Sequence, residues 1–413
     1  MPIKFDGDPE ISLLIDKEEA RQENEISLIA SENYAPANIL KAMGSVLTNK
    51  YAEGLPGKRF YAGCSVVDAV ETLAIERCKK LFGASHVNVQ PHAGSQANMA
   101  VYMSCLKPGD TILGMDLVSG GHLTHGYKAN FSGALYRVVS YGVSRETECI
   151  DYDQVYTIAQ QCRPKLIIAG ASAYPRIIDF AKFAQIAKSV DALFMADIAH
   201  IAGLVAAGLH PSPIACADFV TSTTHKTLCG PRGAFVMCKD GFAQALDRTV
   251  MPGIQGGPCM HVIAAKAICF GNGLRPEFVR YQQKIINNAR AMSDVLAELG
   301  YRIVSGGTDN HMIIIDLTGQ GCNGKEAEQV LECAGITVSR SCIPFDTQKP
   351  TLGSGIRIGT SAITTRGMTE KEAQDVAFMM HEVIKHRDEQ CFIEAVRQRV
   401  ESLCKHFPIY SSF

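Results

Sequence analysis

No run of the chain is long and apolar enough to span a membrane. Its longest apolar stretches, Lys165 to Ala173 and Ala192 to Ala196, have strand length. No charge of one sign dominates: 40 lysines and arginines stand against 42 aspartates and glutamates, a net charge of -2. That balance argues against a nucleic-acid partner and against a polybasic membrane tether. The opening stretch, MPIKFDGDPEISLL, has Asp6, Asp8 and Glu10 where a secretory leader needs an apolar core. The 15 cysteines are odd in number and show no C-x-x-C spacing. Without a leader they are expected to be reduced thiols of a cytoplasmic protein. Metal ligands are not clustered; His122-Leu-Thr-His125 comes nearest, and no metal site is expected. The glycine spacing around Gly94-Ser95-Gln96-Ala97-Asn98 is not GxGxxG, and the chain has no GxxxxGK[ST], so neither a dinucleotide fingerprint nor a Walker loop is read there.

What is present is globular: 413 residues, 46% hydrophobic and 20% charged, enough chain for two or three domains. Residues 1–50 suggest an N-terminal arm. A helix starts at Asp8-Pro9-Glu10, with an apolar stripe continuing through Asp16 to Ile29, and a second helix follows Pro36. Lys50 to Gly63 (KYAEGLPGKRFYAG) has the composition of a functional loop. From there to residue 278 helices alternate with apolar runs at Val87 to Val89, Thr111 to Leu113, Leu135 to Val139, Leu166 to Ala169, Leu193 to Ala196, Phe219-Val220 and Ala234 to Met237. Runs apolar throughout predict a mainly parallel seven-stranded sheet covered on both faces, an α/β large domain over 51–278. Residues 279–413 predict a smaller α+β domain. Its strands are expected near Tyr301, Met312, Ile336 and Ile356, and its helices over Lys325 to Ala334, after Thr369 and near Asp388.

Five pieces carry chemistry. Lys226 lies in TSTTHKTLCGPRGAF, among hydroxyls and glycines between two apolar runs, so it sits on a turn at a strand end. An amine there is suited to Schiff-base chemistry. Gly94-Ser95 opens a helix after a strand and suits a phosphate. Asp197 ends a strand in MADIAH, where a carboxylate meets a ligand's cationic ring nitrogen, with His200 three residues on. His122 follows Gly120-Gly121, glycines that would leave room above a flat ring. Arg357, in GIRIGT, suits a substrate carboxylate. Singly, each has an ordinary explanation: a loop lysine, a capped helix, an N-cap aspartate, a loop histidine, a surface arginine. Together they match pyridoxal phosphate bound to a lysine, with the protein tuning an electron sink.

Those residues sit in longer motifs: LIASENYAP, KYAEGLPGKRFYAG, AGSQAN, SGGHLTHG, MADIAHIAGLV, HPSPIACADFVTSTTHKTLCGPRG, PGIQGGP, SGGTDNH and GIRIGT. With them the chain resembles the serine hydroxymethyltransferase family, fold-type I pyridoxal-phosphate enzymes related to aspartate aminotransferase. The resemblance implies the following roles. Lys226 would carry the cofactor, Asp197 pair with its ring nitrogen and His122 stack on the ring. Gly94 and Ser95 would meet the phosphate, and Ser172 and His200 the phenolic oxygen. His225 would lie in the same pocket, and Thr223 would assist exchange at Lys226. Ser31 and Arg357 would bind the substrate carboxylate. Tyr51, Gly256 and Gly257 at the cofactor, and Glu53 and Tyr61 at the substrate, would arrive from a second subunit of a homodimer or tetramer, with Glu53 moving a proton at the serine hydroxyl. Leu117, Gly121, His122 and Leu123 match a tetrahydrofolate-contacting segment. L-Serine, glycine and tetrahydrofolate are then the implied partners.

The sequence departs from the family pattern in places. Ala234 stands where a further glycine is usual, Lys349-Pro350-Thr351 replaces a segment near the folate, and Ser361 replaces a proline. Gly271-Asn272-Gly273 interrupts an expected helix. The competing expectations are a folate-independent aldolase acting on threonine-like β-hydroxy amino acids, and a scaffold that has lost catalysis. Retention of Lys226, Asp197, Glu53 and Arg357 together opposes the scaffold.

Overall fold

The computed structural model describes residues 7–410; Asp6 and the five residues before it lie outside them. By contacts the chain divides into two units, residues 38–283 and a unit joining residues up to Ala37 with residues from Lys284 onward. The stretch expected to stand apart as an arm over 1–50 is therefore split between them. The other boundary lies within the helix Pro276–Glu298.

In the larger unit seven strands form one sheet: β1 (His86–Asn88), β2 (Thr111–Met115), β3 (Arg137–Tyr141), β4 (Leu166–Ala169), β5 (Leu193–Asp197), β6 (Phe219–Thr223) and β7 (Ala234–Cys238). Their order is β1-β7-β6-β5-β4-β2-β3. All neighbours are parallel except β7, which runs antiparallel to β6 and β1. Strands β4, β6 and β7 are buried at every residue, as a sheet covered on both faces requires. All seven expected strands occur. The third starts later than expected because Phe131–Leu135 forms a short helix capped by Asn130. The carboxyl ends of β1 through β6 lie along one edge, where open α/β sheets bind ligands.

Three local expectations need correction. The loop over 50–63 contains a hairpin pairing Gly54–Leu55 with Lys58–Arg59. The first helix is Pro9–Asn24, capped by Asp8; it stops short of Ile29 and buries none of its residues. Gly271 and Gly273 do not interrupt their helix, which runs Met260–Gly273. A Cβ on Gly271 would lie 3.0 Å from the Arg77 guanidinium, and one on Gly273 would lie 2.9 Å from Leu81. The glycines thus permit close approach of the helix Ser65–Phe82.

The smaller unit has a four-stranded antiparallel sheet: β8 (Arg302–Ile303), β9 (Met312–Asp316), β10 (Ser339–Ser341) and β11 (Gly355–Gly359), in the order β8-β9-β11-β10. Strand β10 escaped the sequence reading because its residues are polar and part-exposed. Ile336–Thr337 pairs with Ile26–Ser27 instead. The helices Gly324–Cys333 and Glu370–Lys385 open on capping boxes at Asn323 and Thr369.

Arg366 fastens this unit. Its guanidinium donates to the carbonyls of Gln22, Glu23, Glu25, Cys404 and Phe407, at the ends of the first and last helices. Its side chain is fully buried. Arg366→Leu should therefore destabilise the protein by on the order of 3 kcal/mol, because buried carbonyls lose their donor. An unchanged urea midpoint would refute that role.

Candidate active site

Strands β6 and β7 are antiparallel neighbours joined by residues 224–233, and the ladder pair next to this loop is Thr223 with Ala234. Thr224 closes this loop. Its N–H donates to the Gly233 carbonyl at 3.0 Å, its hydroxyl donates to the Pro231 carbonyl at 2.6 Å, and its carbonyl accepts from the Gly230 N–H at 2.8 Å. Lys226 therefore stands at the carboxyl edge of the parallel strands, as its sequence setting predicts. Its Nζ donates to the Thr223 hydroxyl at 3.0 Å, and that hydroxyl donates to the Ala199 carbonyl at 3.3 Å. Thr227 donates to the carbonyl of the buried His200 at 3.0 Å, so the loop is also tied to the segment after β5.

Asp197 ends β5. Its Oδ1 accepts from the Ala199 N–H at 3.0 Å; its Oδ2 meets Asn98 Nδ2 at 2.9 Å and His125 Nε2 at 3.2 Å. Burial pushes the carboxyl up. The hydrogen bond and charge of His125, with His122 and Asn98, outweigh burial and hold it far below the usual carboxylate range. Asn98 and His125 were not assigned as site residues from sequence. His125 was visible only as the partner of His122 in a weak metal-like spacing, and Asn98 only as part of a helix start. His122, His125 and Asp197 place three ligand atoms within 4.8 Å of one another. His125 and Asp197 direct theirs at each other.

Gly94 and Ser95 begin the helix Gly94–Cys105, whose N-cap is Ala93 with no side-chain hydrogen bond. Alanine is a poor cap, so the first-turn amides suit an anion. His122 bonds Thr124 through Nδ1 at 2.7 Å and caps the short turn Leu123–His125. The preceding glycines do something other than expected. A Cβ on Gly120 would lie 2.2 Å from the Ala173 carbonyl, and one on Gly121 would lie 2.1 Å from that of Met115. They let loops pack rather than leave room above a ring. Ser172 joins this packing, donating from its N–H to the Gly120 carbonyl at 2.8 Å. Leu117 accepts from the Gly120 N–H at 3.1 Å, and Leu123 is 47% exposed. Among the described residues, buried His225 Nδ1 and Thr221 Oγ1 have no hydrogen-bond partner. An uncapped helix start, a buried anion and orphaned polar atoms suit a phosphorylated ring with a cationic nitrogen.

Tyr51, Glu53, Tyr61, Gly256 and Gly257 gather in a second cluster of the larger unit. The Tyr61 hydroxyl donates to Glu53 at 3.4 Å, and the Tyr51 and Tyr61 rings meet edge to face at 5.2 Å. A Cβ on Gly256 would lie 3.0 Å from Glu53 Oε1, and one on Gly257 would lie 3.2 Å from the Tyr51 ring. The smaller unit holds Arg357 on β11, beside Ile314 and Ser339. Burial lowers its guanidinium to about 10. Ser31 follows Ala30, whose Cα a Cβ on Gly359 would approach to 2.5 Å, so Ser31 lies by the same strand end.

Burial, and then the charges of Lys226 and Arg232, lower His225 from 6.5 to about 3. His225 is neutral in the fold and gains a proton on unfolding below pH 6.5. Its stabilising contribution is complete above 6.5 and falls as pH drops toward 3, by up to about 1.4 kcal/mol per pH unit. Replacing it with asparagine should flatten the acid side of the urea-midpoint profile between pH 6.5 and 4. Parallel profiles for parent and variant would exclude this effect.

A family model described as Serine hydroxymethyltransferase matches residues 5–380, nearly the whole chain. The match spans both strand-end loops, the Glu53 cluster and Arg357. The chain belongs to the serine hydroxymethyltransferase family, pyridoxal-phosphate-dependent glycine hydroxymethyltransferases of fold type I.

Proposed function

We propose that the protein transfers the hydroxymethyl group of L-serine reversibly to tetrahydrofolate, giving glycine and 5,10-methylenetetrahydrofolate. It would serve glycine biosynthesis and one-carbon metabolism. The observation that carries this reading is Asp197, buried yet held anionic by His125 and Asn98 at the strand edge that bears Lys226. A buried carboxylate so held keeps a proton on a ring nitrogen. Pyridoxal phosphate, when bound, supplies an electron sink for the bonds at the substrate α-carbon.

The chain's own residues divide the remaining work. Lys226 holds the cofactor through Nζ, and Thr223, already bonded to that nitrogen, moves a proton there. The amides of Gly94 and Ser95 bind the phosphate. His122 covers the ring, with His225 in the same pocket and Ser172 and His200 near the phenolic oxygen. Arg357 and Ser31 bind the serine carboxylate, and Glu53 with Tyr61 handles the proton of the serine hydroxyl. Leu117, Gly121, His122 and Leu123 meet the folate. The working form is a homodimer in the cytoplasm. Tyr51, Glu53, Tyr61, Gly256 and Gly257 complete the site of the second copy.

Two observations support the dimer and the compartment. Val46, Phe60 and Val66 are apolar yet 81%, 72% and 67% exposed in one chain, an unusual concentration around the Glu53 loop. None of the 15 cysteines is in a disulfide, as a reducing compartment favours.

Glycine formation from serine should require tetrahydrofolate. Equal rates with and without it would favour the aldolase. Lys226→Gln should lose multiple turnover and the cofactor's bound absorption while its thermal midpoint stays near the parent's; full turnover would refute the assignment. Sedimentation should give a mass of at least two chains, and a monomer active at the same concentration would remove the shared site.

A further inference from the structure

Arg59 has a charge environment that the cofactor chemistry does not use. Its side chain is only 3% exposed. Nη1 donates to the Ala52 carbonyl at 2.8 Å and to the Gly54 carbonyl at 2.7 Å, the two residues flanking Glu53. Nε pairs with Asp68 at 2.8 Å and Nη2 with Glu71 at 2.6 Å. The Glu53 carbonyl accepts from the Phe60 N–H at 3.0 Å, so the hairpin closes over the same spot.

The anchor continues inward. Glu71, 1% exposed, accepts from Gln90 Nε2 at 2.8 Å, and the same Nε2 donates to the Gly54 carbonyl at 2.9 Å. The Gln90 carbonyl accepts from Gln255 Nε2 at 3.0 Å. Gln255 precedes Gly256, whose Cβ position lies 3.0 Å from Glu53 Oε1. Arg59 thus holds the Glu53 backbone, and the Gln90–Gln255 bond holds the segment whose Gly256 leaves room for the Glu53 carboxylate. Lys266, fully buried, holds the carbonyls on both sides of Gln90, those of Val89 at 2.7 Å and Pro91 at 3.0 Å.

We propose that Arg59, backed by Glu71 and Gln90, is the positioning residue for Glu53: it fixes the peptide on either side of the proton-transferring carboxylate. This rests on the role given to Glu53 above. Lysine at position 59 keeps one positive charge but lacks the fork that reaches two carbonyls and two carboxylates together.

The test uses the cofactor-loaded enzyme with serine and tetrahydrofolate. Arg59→Lys should lower kcat about 30- to 100-fold, as displacement of a reacting group does. KM for serine should stay within about twofold, since the serine carboxylate is assigned to Arg357 and Ser31, outside this loop. Amide exchange should accelerate in the peptide containing Phe60 and stay unchanged over Gly94–Cys105. Gln90→Met should give a smaller loss of the same kind, and covers the case in which Arg59→Lys fails to fold. Glu53→Gln separates the two claims. If it retains full turnover, the role of Glu53 falls and the positioning role with it. If it loses turnover while Arg59→Lys and Gln90→Met keep theirs, Arg59 is a structural residue only. Losses that track a general fall in thermal midpoint, with KM rising in step, would also overturn the proposal.

Discussion

Lys226 owes its place to a neighbour. The antiparallel return of β7 beside β6 leaves residues 224–233 to turn back at the edge where the parallel strands end. Thr224 makes that turn a fixed one by bonding Gly233, Pro231 and Gly230 while fully buried. The glycines of GPRG follow from packing: a Cβ on Gly230 would lie 2.5 Å from Cys269 Sγ, and one on Gly233 2.5 Å from Lys266 Cε. Lys266 also takes the Ala234 carbonyl at 2.7 Å, fixing the point where β7 begins. Release the turn and the lysine loses its relation to Thr223, and with it to the β5 edge.

One helix then sets the scale of the site. Its first turn, at Gly94 and Ser95, offers uncapped amides to an anion. Asn98, about one turn on, holds the carboxylate of Asp197. Four residues of helix rise about 6 Å. The anion-binding start and the buried anion are thus referred to one rigid element, which suits a ligand with a phosphate at one end and a cationic nitrogen at the other. His125 completes the arrangement from a separate loop, so the charge of Asp197 is stabilised from two sides.

The strands were legible because apolar runs of strand length between helical periods have few other uses. The turn bearing Lys226 was legible because its glycines and hydroxyls are local. The rest is set by contacts far apart in the chain. Asn98 and His125 reach Asp197 across 99 and 72 residues, and an asparagine in a helix carries no mark of its partner. Nothing in the sequence around Arg366 marks its partners, yet it binds carbonyls more than 340 residues earlier. Strand β10 is polar and exists through its neighbour β11. Gly271 and Gly273 suggested a break, when the packing of a facing helix explains them.

In the proton-transfer role proposed for it, Glu53 poses the opposite problem to Asp197. A carboxylate that must stay ionised is best surrounded by donors, as Asp197 is. A carboxylate that passes a proton must be held in place without being locked in one charge state. An arginine paired directly with Glu53 would favour its ionised form. Arg59 sits close in sequence and in space, but directs its charge to Asp68 and Glu71. What it gives to Glu53 is the orientation of the two adjoining carbonyls. The carboxylate itself faces a tyrosine hydroxyl, a neutral group that donates a hydrogen bond without adding a charge. Fixing the peptide while leaving the acid to a neutral partner separates position from charge, the two properties proton transfer needs to have set independently.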